Sequence, residues 1–175
     1  PRFSGQIAWR FTVPADVART VLNPVNVTAF MGPKTHLVTY PLDQGKTINM
    51  VAITRGTQRG ETWNSHEMAT DRQDLLRAFM GWQRGIVSIL RQAPEMNCWP
   101  LYEVADGPWH DAGKTVLIGD AAHAMTPFAA QGAAMAIEDG YELAQALSQT
   151  VSGDLKPTLA RFEAARRARI ARTRS

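Results

Sequence analysis

Residues 119–140 read GDAAHAMTPFAAQGAAMAIEDG, and how this stretch folds decides how the rest of the chain is read. It is too rich in small side chains for a uniformly packed core helix and too ordered for a linker. It parses as the end of a strand, a turn, a loop and a helix. The run TVLIG (115–119) before it is short, apolar and bounded by turn signals, as a fully buried parallel strand would be. Gly119 closes that strand, and Asp120 stands where the chain leaves the sheet, the place where open α/β sheets bind ligands. A carboxylate there can accept hydrogen bonds from the hydroxyls of a polyol. Pro127 stiffens the loop, and AAQGAA (129–134) lets a planar ligand or a phosphate approach the backbone. The helix opening near Gln131 points free N–H groups at that ligand, and its positive end favours anionic groups. A side chain at Gly132 would obstruct the approach. A tight strand-to-helix turn, with alanines for close packing, accounts for the composition equally well.

The chain has 175 residues, enough for one domain or a piece of a larger protein, and 45% are hydrophobic, as in proteins that bury a core. Cys98 is the single cysteine, so no internal disulfide can form; this suits a reducing cytosol, and a cytoplasmic location is expected. No apolar run approaches the length of a membrane span, and no signal peptide opens the chain. The first residue is Pro1 and the last segment stops inside a helical pattern, so both ends read as cut. The net charge of +3 is concentrated at one end. Residues 161–175 hold six arginines and one glutamate, leaving 13 basic and 15 acidic residues elsewhere, a net of −2. That end reads as a helix with a solvated arginine face and Leu159, Phe162, Ala165 and Ile170 on the other side. It lacks an interleaved aromatic platform, so nucleic acid is not an expected partner, nor is a membrane. His36, His66, His110 and His123 show no ligand spacing, and no metal is expected.

Outward from the central stretch, QIAWRFTV (6–13) reads as a strand stopped by Pro14, and ADVARTVL (15–22) as a short helix broken at Asn23-Pro24. THLVTYPL (35–42) and KTINMVAITR (46–55) flank the turn DQG as an antiparallel hairpin. Thr70 reads as a helix N-cap with Asp71 and Asp74 in the first turn, and Leu75, Leu76, Phe79 and Met80 form its stripe. Gly81 interrupts, and RGIVSILRQA forms a second helix ended by Pro94. CWPLYEV (98–104) is a further strand. Helices follow from Gln131 to about Thr150, with Ile137, Tyr141, Ala144 and Leu147 near one face, and from about Pro157. The fold class is α/β with an α+β first part: an antiparallel sheet with helices (1–113), then the closing strand and helices of an α/β domain (114–175).

GDAAHAMTPFAAQGAAMAIEDGYELAQAL resembles the C-terminal FAD motif of the FAD-dependent aromatic hydroxylases, the group A flavoprotein monooxygenases that include salicylate hydroxylase and 6-hydroxynicotinate monooxygenase. FSGQIAWRFTVPAD, HLVTYPLDQGKTINMVAI, DLLRAFMGW and FEAARRARIAR also resemble segments of that family, so the likeness covers essentially the whole chain. The antiparallel sheet would then belong to the substrate domain, and residues 114–175 would close a Rossmann-like FAD-binding domain. The resemblance implies that Asp120 binds the ribityl or pyrophosphate part of FAD, that Gly119 permits the turn, and that Pro127 lies beside the isoalloxazine. It also implies that Gln131, Gly132 and Ala133 present the helix start to the flavin N1–C2=O edge, where charge accumulates on reduction. Ala124 stands where the family usually has proline and Gly140 where alanine is common. Phe128 stands where some 6-hydroxynicotinate enzymes carry histidine, which argues against that substrate. The family's opening GxGxxG fingerprint and its mid-chain Asp-Gly motif are absent from these residues, so this chain alone should bind FAD weakly or not at all.

The family's reaction, as the resemblance implies it, uses NADH or NADPH, dioxygen and a flavin C4a-hydroperoxide to hydroxylate a small phenolic or hydroxylated aromatic acid. It requires a water-free site and help in removing a phenol proton. His36 and Tyr40 lie four apart on a strand and so share a face. The resemblance makes them the candidate proton-handling or substrate-orienting pair. Met50 and Phe128 are candidates for the substrate pocket, with core packing the ordinary role of such a methionine. His123 is expected to hold its loop by a local hydrogen bond. Two alternatives stay open: a flavoprotein of the same fold with epoxidase or reductase chemistry, and a non-catalytic binding module. An incomplete α/β layer would expose apolar surface, so a homodimer stays open too.

Overall fold

The computed structural model describes residues 1–57, 72–93, 96–111, 115–127, 130–150 and 155–174. Thr70, Asp71, Pro94, His66 and Phe128 lie outside the described residues. The chain divides into two compact units, one of Gly5–Leu101 and one of Pro1–Ser4 with Tyr102–Ser175.

The first unit is built on a sheet of order β2-β3-β4-β1-β5. Its strands are β1 (Arg2–Pro14), β2 (Thr28–Met31), β3 (His36–Leu42), β4 (Thr47–Arg55) and β5 (Asn97–Glu103), of which Arg2–Ser4 and Tyr102–Glu103 are counted with the second unit. β1 pairs with β4, and β3 with both β2 and β4, all antiparallel. The DQG turn joins β3 to β4 as a hairpin, with positive φ at Asp43 (48°), Gln44 (57°) and Gly45 (85°). The register fixes two unlike faces. Trp9, Phe11 and Val13 stand opposite Ala52, Met50 and Ile48, with Leu37 and Thr39 continuing the row, and every one of these is buried. Trp9 Nε1 donates to Thr54 Oγ1 at 2.9 Å, which satisfies the buried indole N–H on this core face. Helices α1 (Ala15–Ala18) and α2 (Arg72–Ala78) pack against β4, and α3 (Arg84–Gln92) packs on α2. Leu75, Phe79, Ile86, Ile89 and Leu90 supply the helical half of the core. Gly81, at φ +85°, makes the turn between the two helices that a side chain would strain. β2 was missed in the sequence because four residues with one branched side chain and one aromatic give too little alternation to register. The first helix is one turn long, since Thr20 onward folds as turns before Asn23-Pro24.

The second unit carries α4 (Asp120–His123), α5 (Gly132–Ser148) and α6 (Lys156–Arg174). Two expectations are corrected here, for the run 115–119 and for α6. The run 115–119 is not a buried parallel strand. Val116 bridges His110 and the Leu117 N–H donates to the Trp109 carbonyl at 2.7 Å, so the segment turns back on residues 109–111. Leu117 and Ile118 are exposed, because among the described residues no neighbouring strand offers them a paired edge. The Ile137–Tyr141–Leu147 face of α5 is also exposed, with Ile137 at 75%, while Met135 and Asp139 face inward. Finally, the arginines of α6 are not simply a solvated face. Its buried stripe runs Leu159, Phe162, Arg166, Ile170, with Arg166 only 5% exposed where Ala165 was expected. Trp109, Ala122, Met135 and Ile170 form the unit's apolar centre, with Met125 against it. Arg167 lies 4.8 Å over the Trp109 ring and its Nε donates to Glu163 at 2.7 Å.

Candidate functional site

Two groups of residues carry chemistry, one in each unit. In the second, Gly119 is the hinge. It is buried with φ +58° and ψ −142°, and a Cβ there would lie 3.1 Å from the Ala136 Cβ of α5. Only glycine fits both the backbone and the space. Its carbonyl accepts the N–H groups of Ala122 and His123, closing the single turn of α4. Asp120 opens that turn with an exposed side chain, and among the described residues no group donates to its carboxylate. An ideal Cβ on Gly132 would lie 4.0 Å from Asp120 Oδ1, so the carboxylate and the start of α5 are neighbours.

Gln131 is the exposed N-cap of α5, and no side chain caps the helix. The first-turn N–H groups of Gly132 and Ala133 therefore have no partner inside the helix and give it a positive end. Pro127 is exposed, and its carbonyl accepts the Ala130 N–H at 3.1 Å, closing a turn just before the helix. Ala130 sits at φ +51°, a left-handed conformation that alanine adopts under constraint. No property of an alanine in the sequence signals this.

The turn is held from behind by residues that sequence reasoning did not single out. Asp139, 0% exposed, accepts the Gly119 N–H at 2.8 Å and faces His123 Nε2 at 2.6 Å through Oδ2, and accepts Arg166 Nε at 2.7 Å through Oδ1. Burial pushes the Asp139 carboxyl up, but the bonds from Gly119, His123 and Arg166 outweigh it and hold the group below its usual value. Glu138 receives Arg166 and Arg169, both at 3.0 Å, and its carboxyl is held low by those bonds, Arg169 first. His123 thus anchors its loop to α5, sixteen residues away, rather than locally, and its ring lies 5.2 Å from that of Trp109. The available signal was the helical spacing Leu159, Phe162, Arg166, Ile170, which puts an arginine on an apolar stripe and demands a buried anion.

In the first unit, His36 and Tyr40 occupy one face of β3 with Val38 between them, roughly 13 Å apart along the strand. Register sets Ile53, Val51 and Asn49 of β4 beside them on that face. Both side chains are half-buried, and burial lowers the His36 pKa from its ordinary value, so the imidazole is neutral near pH 7 and able to accept a proton. Met50 is on the opposite face, fully buried in the helix-covered core, so it does not line a pocket with His36 and Tyr40. Its place answers to packing. Among the described residues no group of three or more His, Cys, Asp or Glu could hold a metal ion, and no helix is long and apolar enough to cross a membrane.

The family described as FAD binding domain matches residues 8–174. Salicylate hydroxylase of Pseudomonas putida is 32% identical over 98% of this chain and 43% of its own. A 6-methylsalicylate 1-monooxygenase of Aspergillus terreus is 31% identical over 93% of this chain and 37% of its own. Among solved structures, a salicylate hydroxylase substrate complex superposes with a TM-score of 0.80 at 26% identity, over 97% of this chain and 44% of that one. The chain thus spans about two fifths of the length of the relatives it matches.

Proposed function

The chain belongs to the FAD binding domain family, and from that membership we propose that it is the substrate-binding and C-terminal section of an FAD-dependent aromatic hydroxylase. The whole enzyme would act on a small phenolic or hydroxylated aromatic acid with NADH or NADPH and dioxygen. The observation that carries the reading is the Gly119 turn, which leaves the Asp120 carboxylate exposed, with no donor among the described residues, beside a start of α5 that its N-cap side chain does not cap. The residues present suit the cofactor. Asp120 would accept hydrogen bonds from the polyol. The N–H groups of Gly132 and Ala133, next to Gln131, would meet an electron-rich ring edge, and Pro127 would flank the ring. Bound flavin would supply the redox chemistry, reduction by nicotinamide and activation of dioxygen, which no side chain can provide.

His36 would take the phenol proton as a neutral imidazole, and Tyr40 would orient the ring by hydrogen bonding. Phe128 is retained as a pocket residue on the strength of the family resemblance alone, whereas Met50 is assigned to the core. Residues 1–113 would serve the substrate, and 114–175 the cofactor. The relatives named for salicylate and 6-methylsalicylate point to a hydroxylated aromatic acid as the substrate class. The test is a full-length preparation assayed against hydroxybenzoates and hydroxypyridines. A yellow protein with substrate-stimulated NAD(P)H oxidation and a hydroxylated product supports the reading. A preparation that holds no flavin after addition of FAD contradicts it.

A further inference from the structure

Asp139 is the only fully buried carboxylate among the described residues. Its two oxygens do different things. Oδ1 receives Arg166, whose guanidinium also reaches Glu138 at 3.0 Å and the Met135 carbonyl at 3.3 Å. Oδ2 is turned the other way, onto the Gly119 N–H and the His123 ring. Those two groups bracket α4, the four-residue turn that Asp120 opens. One carboxylate therefore fixes both ends of the turn that presents Asp120, while Arg166 holds that carboxylate from α6.

Neutralising a buried arginine does not explain this arrangement, because Oδ1 alone would serve, and apolar residues commonly replace a buried ion pair without loss of stability. The second oxygen adds orientation. We propose that Asp139 is a positioning residue for the cofactor, acting through Gly119 and His123 to hold the Asp120 carboxylate beside the start of α5. The role rests on the FAD reading above and adds to it a residue that would never touch the flavin.

The test is a double-mutant cycle on the FAD dissociation constant of the full-length apoprotein, read by flavin fluorescence, with thermal melting recorded alongside. Asp139→Asn is made together with Arg166→Gln, so that the buried guanidinium is not left with Glu138 as its sole anionic partner, and also alone. If Asp139 acts through Asp120, the Asp139 substitution weakens FAD binding about tenfold or more in the native background and less than about twofold in an Asp120→Ala background. A purely structural contribution would weaken binding by the same factor in both, and that result overturns the proposal. Unchanged binding in the native background overturns it as well. A native full-length protein that fails to bind FAD overturns instead the functional reading on which it rests.

Discussion

Gly119 and Gly132 sit thirteen residues apart and obey different constraints, which substitutions can separate. A Cβ at Gly119 meets Ala136 at 3.1 Å in a left-handed backbone, so Gly119→Ala should destabilise the full-length protein by about 1–3 kcal/mol in thermal or urea unfolding. At Gly132 the nearest atom to a Cβ is Asp120 Oδ1 at 4.0 Å, an ordinary contact, and the residue begins a helix. Gly132→Ala should therefore leave the apoprotein as stable or raise its stability by up to about 1 kcal/mol, yet weaken FAD binding, because on the proposed reading the methyl group would stand where the flavin approaches. Matching losses in both would count against a ligand surface there. His36 is read by pH. Burial lowers its pKa, so the neutral form persists below the ordinary value of about 6.5 and is lost as pH falls through the lowered one. The kcat/KM of the full-length enzyme should fall on that acid limb, and His36→Asn should lower kcat/KM and abolish the limb. At this scale the turn at Gly119 and the open carboxylate of Asp120 were legible, because one is set by its backbone and the other by its charge. Asp139 was not, because a lone aspartate within a helix carries no mark of its burial.

Among the elements, α5 and α6 are joined by charge as well as by packing. Arg166 lies at a core position of α6 and meets Asp139 and Glu138 of α5, while Arg169 meets Glu138. Arg166→Met removes one member of a buried pair and should cost about 3–5 kcal/mol in unfolding, more than a surface arginine would. The Asp139 carboxyl has a lower pKa folded than unfolded, so its bonds stabilise fully above the unfolded value of about 3.9 and are lost as pH falls through the folded one. Melting temperature should drop with acid below about pH 4, and less so in Asp139→Asn. A melting curve indifferent to that pH range would contradict the network. The hairpin of β3 and β4 was legible, since DQG between two alternating runs leaves little choice of register. The run 115–119 was not, because apolar residues between turn signals describe a strand only where a neighbour exists to pair with it.

For the whole molecule, the exposed surface of the second unit is the informative feature. Leu117, Ile118, Ile137 and Tyr141 are large apolar side chains left open to solvent, in a chain spanning about two fifths of the length of its relatives. Expressed as the 175-residue chain, the protein should bind a hydrophobic dye and self-associate in sizing and scattering measurements, and the full-length protein should do so far less. Equal dye binding by both would mean that this surface stays open. The central claim is that the Gly119–Asp120 turn and the start of α5 form part of an FAD site, and a titration of FAD into the full-length apoprotein, native and Asp120→Ala, tests it most directly. Binding by the native protein that weakens about tenfold or more in Asp120→Ala, at an unchanged apoprotein melting temperature, is the expected result. Native protein that leaves flavin fluorescence untouched, or an Asp120→Ala variant that binds FAD as the native protein does, would contradict it.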